Sequence, residues 1–124
     1  MVRYHKQTRI LVAIDCIIFG FDGSDLKLLL VQRGLEYEKG KWSLMGGFIQ
    51  KDEDFEKGSA RILKELTGLE GVYMEQLFAF GEVNRDPIER TVSVAYFALI
   101  DIHKYEKQIN AVPASTAYFD NKLQ

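Results

Sequence analysis

The stretch GFIQKDEDFEKGSARILKELTGL, residues 47–69, decides the fold because its hydrophobic pattern changes partway along it. From Phe55 onward, apolar residues recur with the period of 3.6 that is typical of an amphipathic helix. Asp54 has the side chain that an N-cap requires. Gly68 suits the left-handed backbone that ends many helices. The pattern therefore predicts one helix over residues 54–67.

This predicted helix has one apolar stripe and one charged side. At 100° per residue, the stripe consists of Phe55, Ser59, Ile62, Leu63 and Leu66. The charged side carries one carboxylate in the second half of the helix, Glu65, which follows Arg61 by four positions. A lone glutamate beside an arginine at that spacing is most simply solvated or ion-paired. The stripe is expected to pack on a sheet.

Two apolar runs upstream of the helix predict a hairpin of two long, mostly buried strands. They cover residues 10–19 and 26–33, and the Gly, Asp and Ser residues between them are typical of a turn. Residues 34–42 are polar and glycine-punctuated, which predicts a surface loop. Residues 42–49 predict a short strand with a tight break at Gly46–Gly47.

Two further apolar segments follow the helix and complete the predicted sheet. They are residues 72–83 and 90–101, and the pair Asp86–Pro87 marks the turn between them. Residues 103–124 are polar and weakly patterned, so neither a final strand nor a closing helix is predicted there. The order strand, strand, strand, helix, strand, strand indicates an α+β fold with a mixed sheet.

Length and composition restrict the classes of function. A chain of 124 residues with 47% hydrophobic residues can bury one core, so residues 1–124 are read as a single domain. The net charge of −2 provides no basic surface for a phosphate backbone, so nucleic acid is not an expected partner of this chain alone. The single Cys16 lies in an apolar run and fits a reducing, cytoplasmic compartment. The N-terminal apolar run is interrupted by Asp15, which argues against a signal peptide or a membrane span.

The spacing of residues 47–69 resembles the Nudix box, G-x5-E-x7-R-E-U-x-E-E-x-G-U, in which U is a bulky aliphatic residue. Gly47, Glu53, Arg61, Leu63 and Gly68 stand at its fixed positions. Upstream, GKWSLMGGF resembles the strand that precedes the box in this family, and the likeness extends over roughly residues 9–102. It implies a Nudix-type α/β/α sandwich that is incomplete toward its C-terminus, with those five residues in structural positions. Glu53 and Arg61 are similar to an ion pair that joins the loop to the helix.

The resemblance also shows where this chain departs from the family. The box places glutamates at positions 62, 65 and 66, and the chain has Ile62, Glu65 and Leu66 there. Three carboxylates on one helix face, with diphosphate oxygens, form a site suited to Mg²⁺ or Mn²⁺. The resemblance therefore implies an impaired hydrolase that needs no cofactor. Were it active, Glu65 would be the metal ligand, Mg²⁺ or Mn²⁺ the cofactor, and Glu82 an additional catalytic carboxylate.

Residues 78–99 narrow the resemblance further. They are similar to a segment of ADP-ribose pyrophosphatases and of Nudix-related transcriptional regulators. The sequence LMGGF, together with the altered box, most resembles the sugar-utilisation regulators of Bacteroidetes. In these proteins the domain binds a small-molecule effector, here expected to be a sugar or a nucleotide sugar. The same resemblance implies a homodimer, and DNA binding through a C-terminal winged helix that residues 1–124 do not contain.

Six residues are candidate contacts to such a ligand. Asp15 interrupts an apolar strand, so its carboxylate either faces a cavity, where it could accept from hydroxyls, or lies at an edge or in a core ion pair. Arginine suits phosphate and carboxylate groups, which makes Arg33, Arg85 and Arg90 candidates, with Asp86 beside them. Phe48 is either a core anchor or a ring that stacks on a base or a sugar.

Three hypotheses on function follow from these residues and the resemblance. The leading one is a catalytically impaired Nudix-like domain that binds an effector for a transcriptional regulator. The second is a Mg²⁺-dependent hydrolase of a nucleoside diphosphate derivative such as ADP-ribose. The third is a dimerising or scaffolding domain that binds no ligand.

Overall fold

A computed structural model describes residues 4–32, 42–110 and 118–120. The elements in chain order are β1 (Leu11–Phe21), β2 (Leu26–Gln32), β3 (Trp42–Ser43), β4 (Met45–Phe48), α1 (Phe55–Thr67), β5 (Glu75–Phe80), β6 (Thr91–Asp101), α2 (Ile102–Asn110) and β7 (Tyr118–Asp120). They form a mixed sheet with two helices, which confirms the predicted α+β class. Within the described ranges, no helix has the length and apolar character needed to span a membrane.

Helix α1 begins and ends where its local signals predict. The Asp54 side chain accepts a hydrogen bond from the backbone N–H of Lys57 at 2.8 Å. Gly68 has a φ of 82°, and its N–H donates to the carbonyl of Lys64 at 2.8 Å. Both caps are made by residues of the segment itself, so the bounds lie within one residue of the predicted 54–67.

Strand β1 lies at the centre of the sheet. It pairs antiparallel with β2 near its C-terminal end, which confirms the predicted hairpin. Along its N-terminal half it pairs antiparallel with β4, and along its whole length it pairs parallel with β6. Asp15 has Gly46 as its partner in β4 and Ala95 as its partner in β6. The edge position considered for Asp15 is therefore excluded.

The predicted break at Gly46–Gly47 is wrong. Both glycines lie inside β4 and pair with β1, and neither has a positive φ. A close approach explains the absence of a side chain at Gly47, because a Cβ there would lie 3.0 Å from Cγ1 of Ile62. The break in the predicted strand falls instead between β3 and β4, at Leu44.

The expectation that residues 103–124 lack a clear final strand and closing helix is also wrong. Helix α2 follows β6 directly, and β7 pairs antiparallel with β2. Ile102 is buried, and Tyr105 packs against the core. The Gln108 side chain accepts a hydrogen bond from the N–H of Glu70 at 2.9 Å. Contacts with distant parts of the chain therefore add to the amphipathic pattern of α2.

The two faces of the sheet differ in what covers them. Residues of β1 and β6 with even numbers form the helix face, where Ile14 and Ile18 have no exposed surface and α1 packs. Residues of these strands with odd numbers form the second face. There Phe21 is 46% exposed and Leu99 is 67% exposed. The helix face of the sheet is thus buried, whereas the second face has accessible side chains.

Candidate functional site

The two apolar residues at the positions of the missing glutamates belong to the core. Ile62 is 2% exposed, and its side chain lies against the backbone of Gly47. Leu66 is partly buried and packs against the same core cluster. A carboxylate at position 62 would face the packed interior instead of solvent, metal or phosphate.

Glu65, the candidate metal ligand, lies on the exposed side of α1. Its side chain is 61% exposed, and its Oε2 atom lies 3.2 Å from Nη1 of Arg61. Across the ranges that the structure describes, no three His, Cys, Asp or Glu side chains are close enough to hold a metal ion together. Glu82 lies in the β5–β6 loop and joins no such group. One exposed carboxylate paired with an arginine does not fit the donor set that Mg²⁺ or Mn²⁺ requires.

Glu53 and Arg61 form the ion pair that the resemblance implies. Nη2 of Arg61 donates to Oε1 of Glu53 at 2.9 Å and to the carbonyl of Phe48 at 2.8 Å. The N–H of Gln50 also donates to Oε1 of Glu53 at 2.9 Å. Hydrogen bonds from Arg61 lower the pKa of Glu53, and Glu53 raises the pKa of Arg61. Arg61 thereby ties α1 to β4 and to the loop between them.

Asp15 is paired rather than free. Its Oδ2 atom lies 3.5 Å from Nη2 of Arg85, and the two side chains are 32% and 35% exposed. Burial raises the pKa of the Asp15 carboxyl above its usual range, while the charge of Arg85 opposes that shift. The sequence alone allows either a cavity position or an ion pair for Asp15. The structure shows the ion pair, on a half-exposed part of the second face.

Strand pairing places small residues around Asp15 and aromatic residues on either side. On the second face, two rows of paired residues run across β4, β1, β6 and β5. One row consists of Phe48, Ala13, Ser93 and Phe80, and the other consists of Gly46, Asp15, Ala95 and Phe78. We call these eight residues the cradle. Three strand spacings separate its outer strands, a width of roughly 14 Å. Phe48 and Phe78 are 53% and 60% exposed, so the cradle has accessible rings at both edges.

Arg85 reaches the cradle from the loop between β5 and β6. Its guanidinium lies over the ring of Phe80, 4.7 Å from the centroid. The other two candidates in this loop make bonds within it. Nη1 of Arg90 donates to the carbonyl of Glu82 at 3.1 Å, and Oδ1 of Asp86 accepts from the N–H of Ile88 at 2.8 Å.

The structure brings together Asp15, Phe48 and Arg85 of the six candidate ligand contacts. Arg33 lies outside the described residues. The cradle also contains Phe80 and Ser93, which were not among the candidates from the sequence. The alternation in LFAF, residues 77–80, puts Phe78 and Phe80 on one side of β5. Which side that is depends on the register with β6, and no local pattern reveals this register.

Three cavities lined by described residues lie outside the cradle. One of about 490 Å³ is bounded by β5, β6 and α2 and is lined in part by Phe97 and Tyr105. One of about 360 Å³ lies between α1 and residues 69–74. One of about 200 Å³ is lined in part by Arg9 and Arg90. None of the three includes Asp15 or Arg85. We take the cradle as the candidate site because it combines a carboxylate, a guanidinium and aromatic rings on one accessible surface.

Comparisons with known proteins identify the family of the chain. Residues 9–117 match the family model described as the NUDIX domain. The chain is 39% identical over 101 residues to an ADPR responsive transcriptional repressor, NtrR, of Acinetobacter baylyi, covering 80% of this chain and 40% of that protein. It is 30% identical over 109 residues to an ADP-ribose pyrophosphatase of Methanocaldococcus jannaschii, covering 88% of this chain and 61% of that one. The chain thus spans less than two thirds of the length of each of these relatives.

Solved structures give the same result. The NUDIX domain of Shewanella oneidensis NrtR complexed with ADP ribose matches with a TM-score of 0.79 and 32% identity, over 97% of this chain and 78% of that chain. Shewanella oneidensis NrtR complexed with a 27mer DNA matches with a TM-score of 0.75 and 35% identity, over 89% of this chain and 50% of that chain. The fold and the predicted likeness to Nudix-type regulators are therefore confirmed.

Proposed function

This chain belongs to the NUDIX domain family, and we propose that it is a single Nudix-like domain that binds a nucleoside diphosphate sugar such as ADP-ribose as an effector. It does so without efficient hydrolysis. The observation that carries this proposal is the burial of Ile62 against Gly47, where the chemistry of the family needs a carboxylate. Two similar proteins support the choice of ligand: one is an ADPR responsive repressor, and the other is a NUDIX domain complexed with ADP ribose.

The cradle has chemical groups that suit each part of such a ligand. Arg85 is suited to the diphosphate, because a guanidinium donates two parallel hydrogen bonds to phosphate oxygens. Asp15 accepts from sugar hydroxyls. Phe48 and Phe80 offer rings for stacking on the base or the sugar. Arg90 and Asp86 contribute by holding the loop that carries Arg85, and any ligand contact of their own or of Arg33 stays a prediction.

The test is ligand-dependent stabilisation measured together with turnover. A ligand that binds the folded state at 100 times its Kd raises the free energy of unfolding by about 2.7 kcal/mol. ADP-ribose should therefore raise the melting temperature with and without Mg²⁺, and chromatography should show no rapid release of AMP. Arg85→Gln should reduce this stabilisation. Lys107→Gln removes one positive charge on α2, outside the cradle, and should leave it unchanged.

The same experiment separates the other two hypotheses. The 30% identity to an ADP-ribose pyrophosphatase favours hydrolysis as the second candidate, in which Glu65 would hold Mg²⁺ or Mn²⁺. Rapid turnover that depends on either metal would establish that candidate and overturn ours. If ADP-ribose, other nucleotide sugars and free pentoses gave no stabilisation at all, the scaffold hypothesis would replace both.

The assembly of the protein is part of the proposal. Exposed apolar residues on the second face and its margin, including Phe21, Leu26 and Leu99, support a homodimer. Sedimentation equilibrium should give twice the chain mass of 14.2 kDa. A regulator of similar structure is complexed with DNA. The net charge of these 124 residues is −2, so we assign any DNA contact to polypeptide outside them. The free, buried Cys16 is consistent with a reducing, cytoplasmic location.

A further inference from the structure

We infer that Asp15 competes with the ligand for Arg85, so that a phosphate group binds by displacing the Asp15 carboxylate from the guanidinium. This inference rests on the proposed function in one respect, that the cradle is the ligand site. It adds a regulatory property: the affinity for phosphate-bearing ligands is set below the level that Arg85 alone would provide. Two features support this inference. The Asp15–Arg85 ion pair is weak, and contacts other than Asp15 hold Arg85 in place.

The Asp15–Arg85 pair can open at little cost. It has one long contact of 3.5 Å, and about a third of each side chain is exposed. Exposed pairs of this kind contribute little to stability. The Arg61–Glu53 pair shows the contrast, because Arg61 donates to both carboxylate oxygens and also to the carbonyl of Phe48. Of the two arginines, Arg85 is therefore the one that can exchange its partner.

Arg85 keeps its position when Asp15 is released. Its guanidinium stacks on Phe80, and its backbone N–H donates to the carbonyl of Glu82 at 3.3 Å. Arg90 donates to that same carbonyl, so two hydrogen bonds hold the loop that carries Arg85. Within the described part of the chain, Asp15 is the sole hydrogen-bond acceptor recorded for the guanidinium. Most of its five N–H groups are therefore available to phosphate oxygens.

Asp15 gains a new partner from the ligand rather than from the protein. Gly46 carries no side chain over the carboxylate, since a Cβ there would lie 2.8 Å from Oδ1. The Asp15 side chain is 32% exposed on the second face, which gives a donor group of a ligand access to the carboxylate. Burial already disfavours the charged carboxyl, so its release from Arg85 favours a ligand that supplies a hydroxyl. The exchange thus selects a ligand that has both a phosphate and a sugar hydroxyl.

Calorimetric titration with inorganic pyrophosphate isolates the competition, because pyrophosphate has no hydroxyl group for Asp15 to bind. Asp15→Asn removes the competing charge with little change in shape and should tighten pyrophosphate binding by roughly two- to fivefold, the range expected for an exposed ion pair. Arg85→Gln should weaken it by tenfold or more. With ADP-ribose the gain from Asp15→Asn should be smaller, since the variant also weakens the hydroxyl contact.

Asp22→Asn is the matched control. It removes one negative charge from an ion pair with Lys27 (3.1 Å) in the β1–β2 turn. If Asp15→Asn bound pyrophosphate no more tightly than Asp22→Asn, or if Arg85→Gln kept the affinity of the natural chain, the competition would be refuted. Absence of pyrophosphate binding in every variant would refute it too. ADP-ribose binding by the natural chain, without tighter pyrophosphate binding by Asp15→Asn, would uphold the effector and refute the exchange. Tighter pyrophosphate binding by Asp15→Asn without any ADP-ribose binding would do the reverse.

Discussion

The two faces of the central sheet follow opposite rules although they share the same strands. On the helix face, Ile14 and Ile18 are fully buried in the core cluster that also contains Ile62 of α1, and Ile62 lies against Gly47. On the second face, the residue between Ile14 and Cys16 is a half-exposed carboxylate paired with Arg85. The helix that carries metal chemistry in this family is here a packing element. The candidate binding chemistry lies on the other side of the sheet.

This difference teaches that the spacing of a motif and the identity of its residues carry separate information. Gly47, Glu53, Arg61 and Gly68 keep the geometry of the box because each makes or permits a contact that shapes the backbone. At two of the three glutamate positions the chain has Ile62 and Leu66, which pack in or against the core, so the fold does not need those two carboxylates. A chain can therefore retain the frame of an enzyme when two of its three metal-ligand positions are replaced.

The largest expected change in stability is that of Ile62→Glu, which tests whether the helix face is packed. The variant places a carboxylate where 2% of the side chain is exposed, and we expect the free energy of unfolding to fall by roughly 3–5 kcal/mol. Urea denaturation measures the loss. Glu65→Gln, on the exposed side of the same helix, should change stability by no more than about 0.5 kcal/mol. A stable Ile62→Glu variant that bound Mg²⁺ would show that this face is open.

A second test truncates one apolar side chain on each face. Ile18→Ala removes a side chain with 0% exposure and should cost about 2–5 kcal/mol through lost contacts and a cavity. Leu99→Ala, in the adjacent strand β6, removes a side chain that is 67% exposed and should cost within about 0.5 kcal/mol in the monomer. Equal losses in the two variants, measured in urea, would mean that the second face is also covered.

A third test uses pH to measure the ion pair that joins α1 to β4. Arg61 lowers the pKa of Glu53 in the folded chain, so the pair stabilises the fold above the ordinary glutamate pKa of about 4.3. This contribution is lost as the pH falls through the lower, folded-state pKa. The stability difference between the natural chain and Glu53→Gln should therefore be largest near neutral pH and shrink below about pH 4.

Glu75→Gln provides the control for that titration, because it removes a carboxylate from an exposed position on β5. Its difference from the natural chain should vary much less over the same range of pH. A Glu53→Gln difference that stayed constant from pH 7 to pH 3 would contradict the assigned role of the pair.

The smallest expected change in stability is that of Arg85→Gln. The ion pair with Asp15 is exposed and long, so its loss should alter the free energy of unfolding by less than about 1 kcal/mol. Arg61→Gln should cost more, since Arg61 also holds the carbonyl of Phe48. Thermal unfolding with and without ADP-ribose compares the two variants. A large loss for Arg85→Gln without ligand would assign Arg85 to the fold instead of the site.

Local signals account for the features that the sequence predicted correctly. Asp54 and Gly68 mark α1 to within one residue because each caps the helix within its own segment. Asp15 stood out because it breaks an apolar run. Its partner Arg85 lies 70 positions further along the chain, and only the meeting of β1, β6 and the β5–β6 loop joins them.

Tertiary contacts account for the predictions that were wrong. Helix α2 was not predicted although Ile102, Tyr105 and Ile109 recur at helical spacing, because the segment is only nine residues long and its partners, the core and Glu70, are distant in the chain. The double glycine was placed in a turn because glycine usually signals one. In the structure both glycines pair with β1, and Gly47 also lies against Ile62. These contacts join distant segments, so the residues next to the glycines do not predict them.

The sequence by itself determined the family, the position of α1, its packing stripe and the replacement of two metal-ligand glutamates, because caps, periodicity and residue identity act over a few neighbouring positions. The tertiary structure alone decided that Ile62 lies against the backbone of Gly47 and that Asp15, Phe48, Phe80 and Arg85 share one surface. The physical reason is that strand register and side-chain burial arise between segments far apart in the chain. They exist only once the hydrophobic core has brought those segments together.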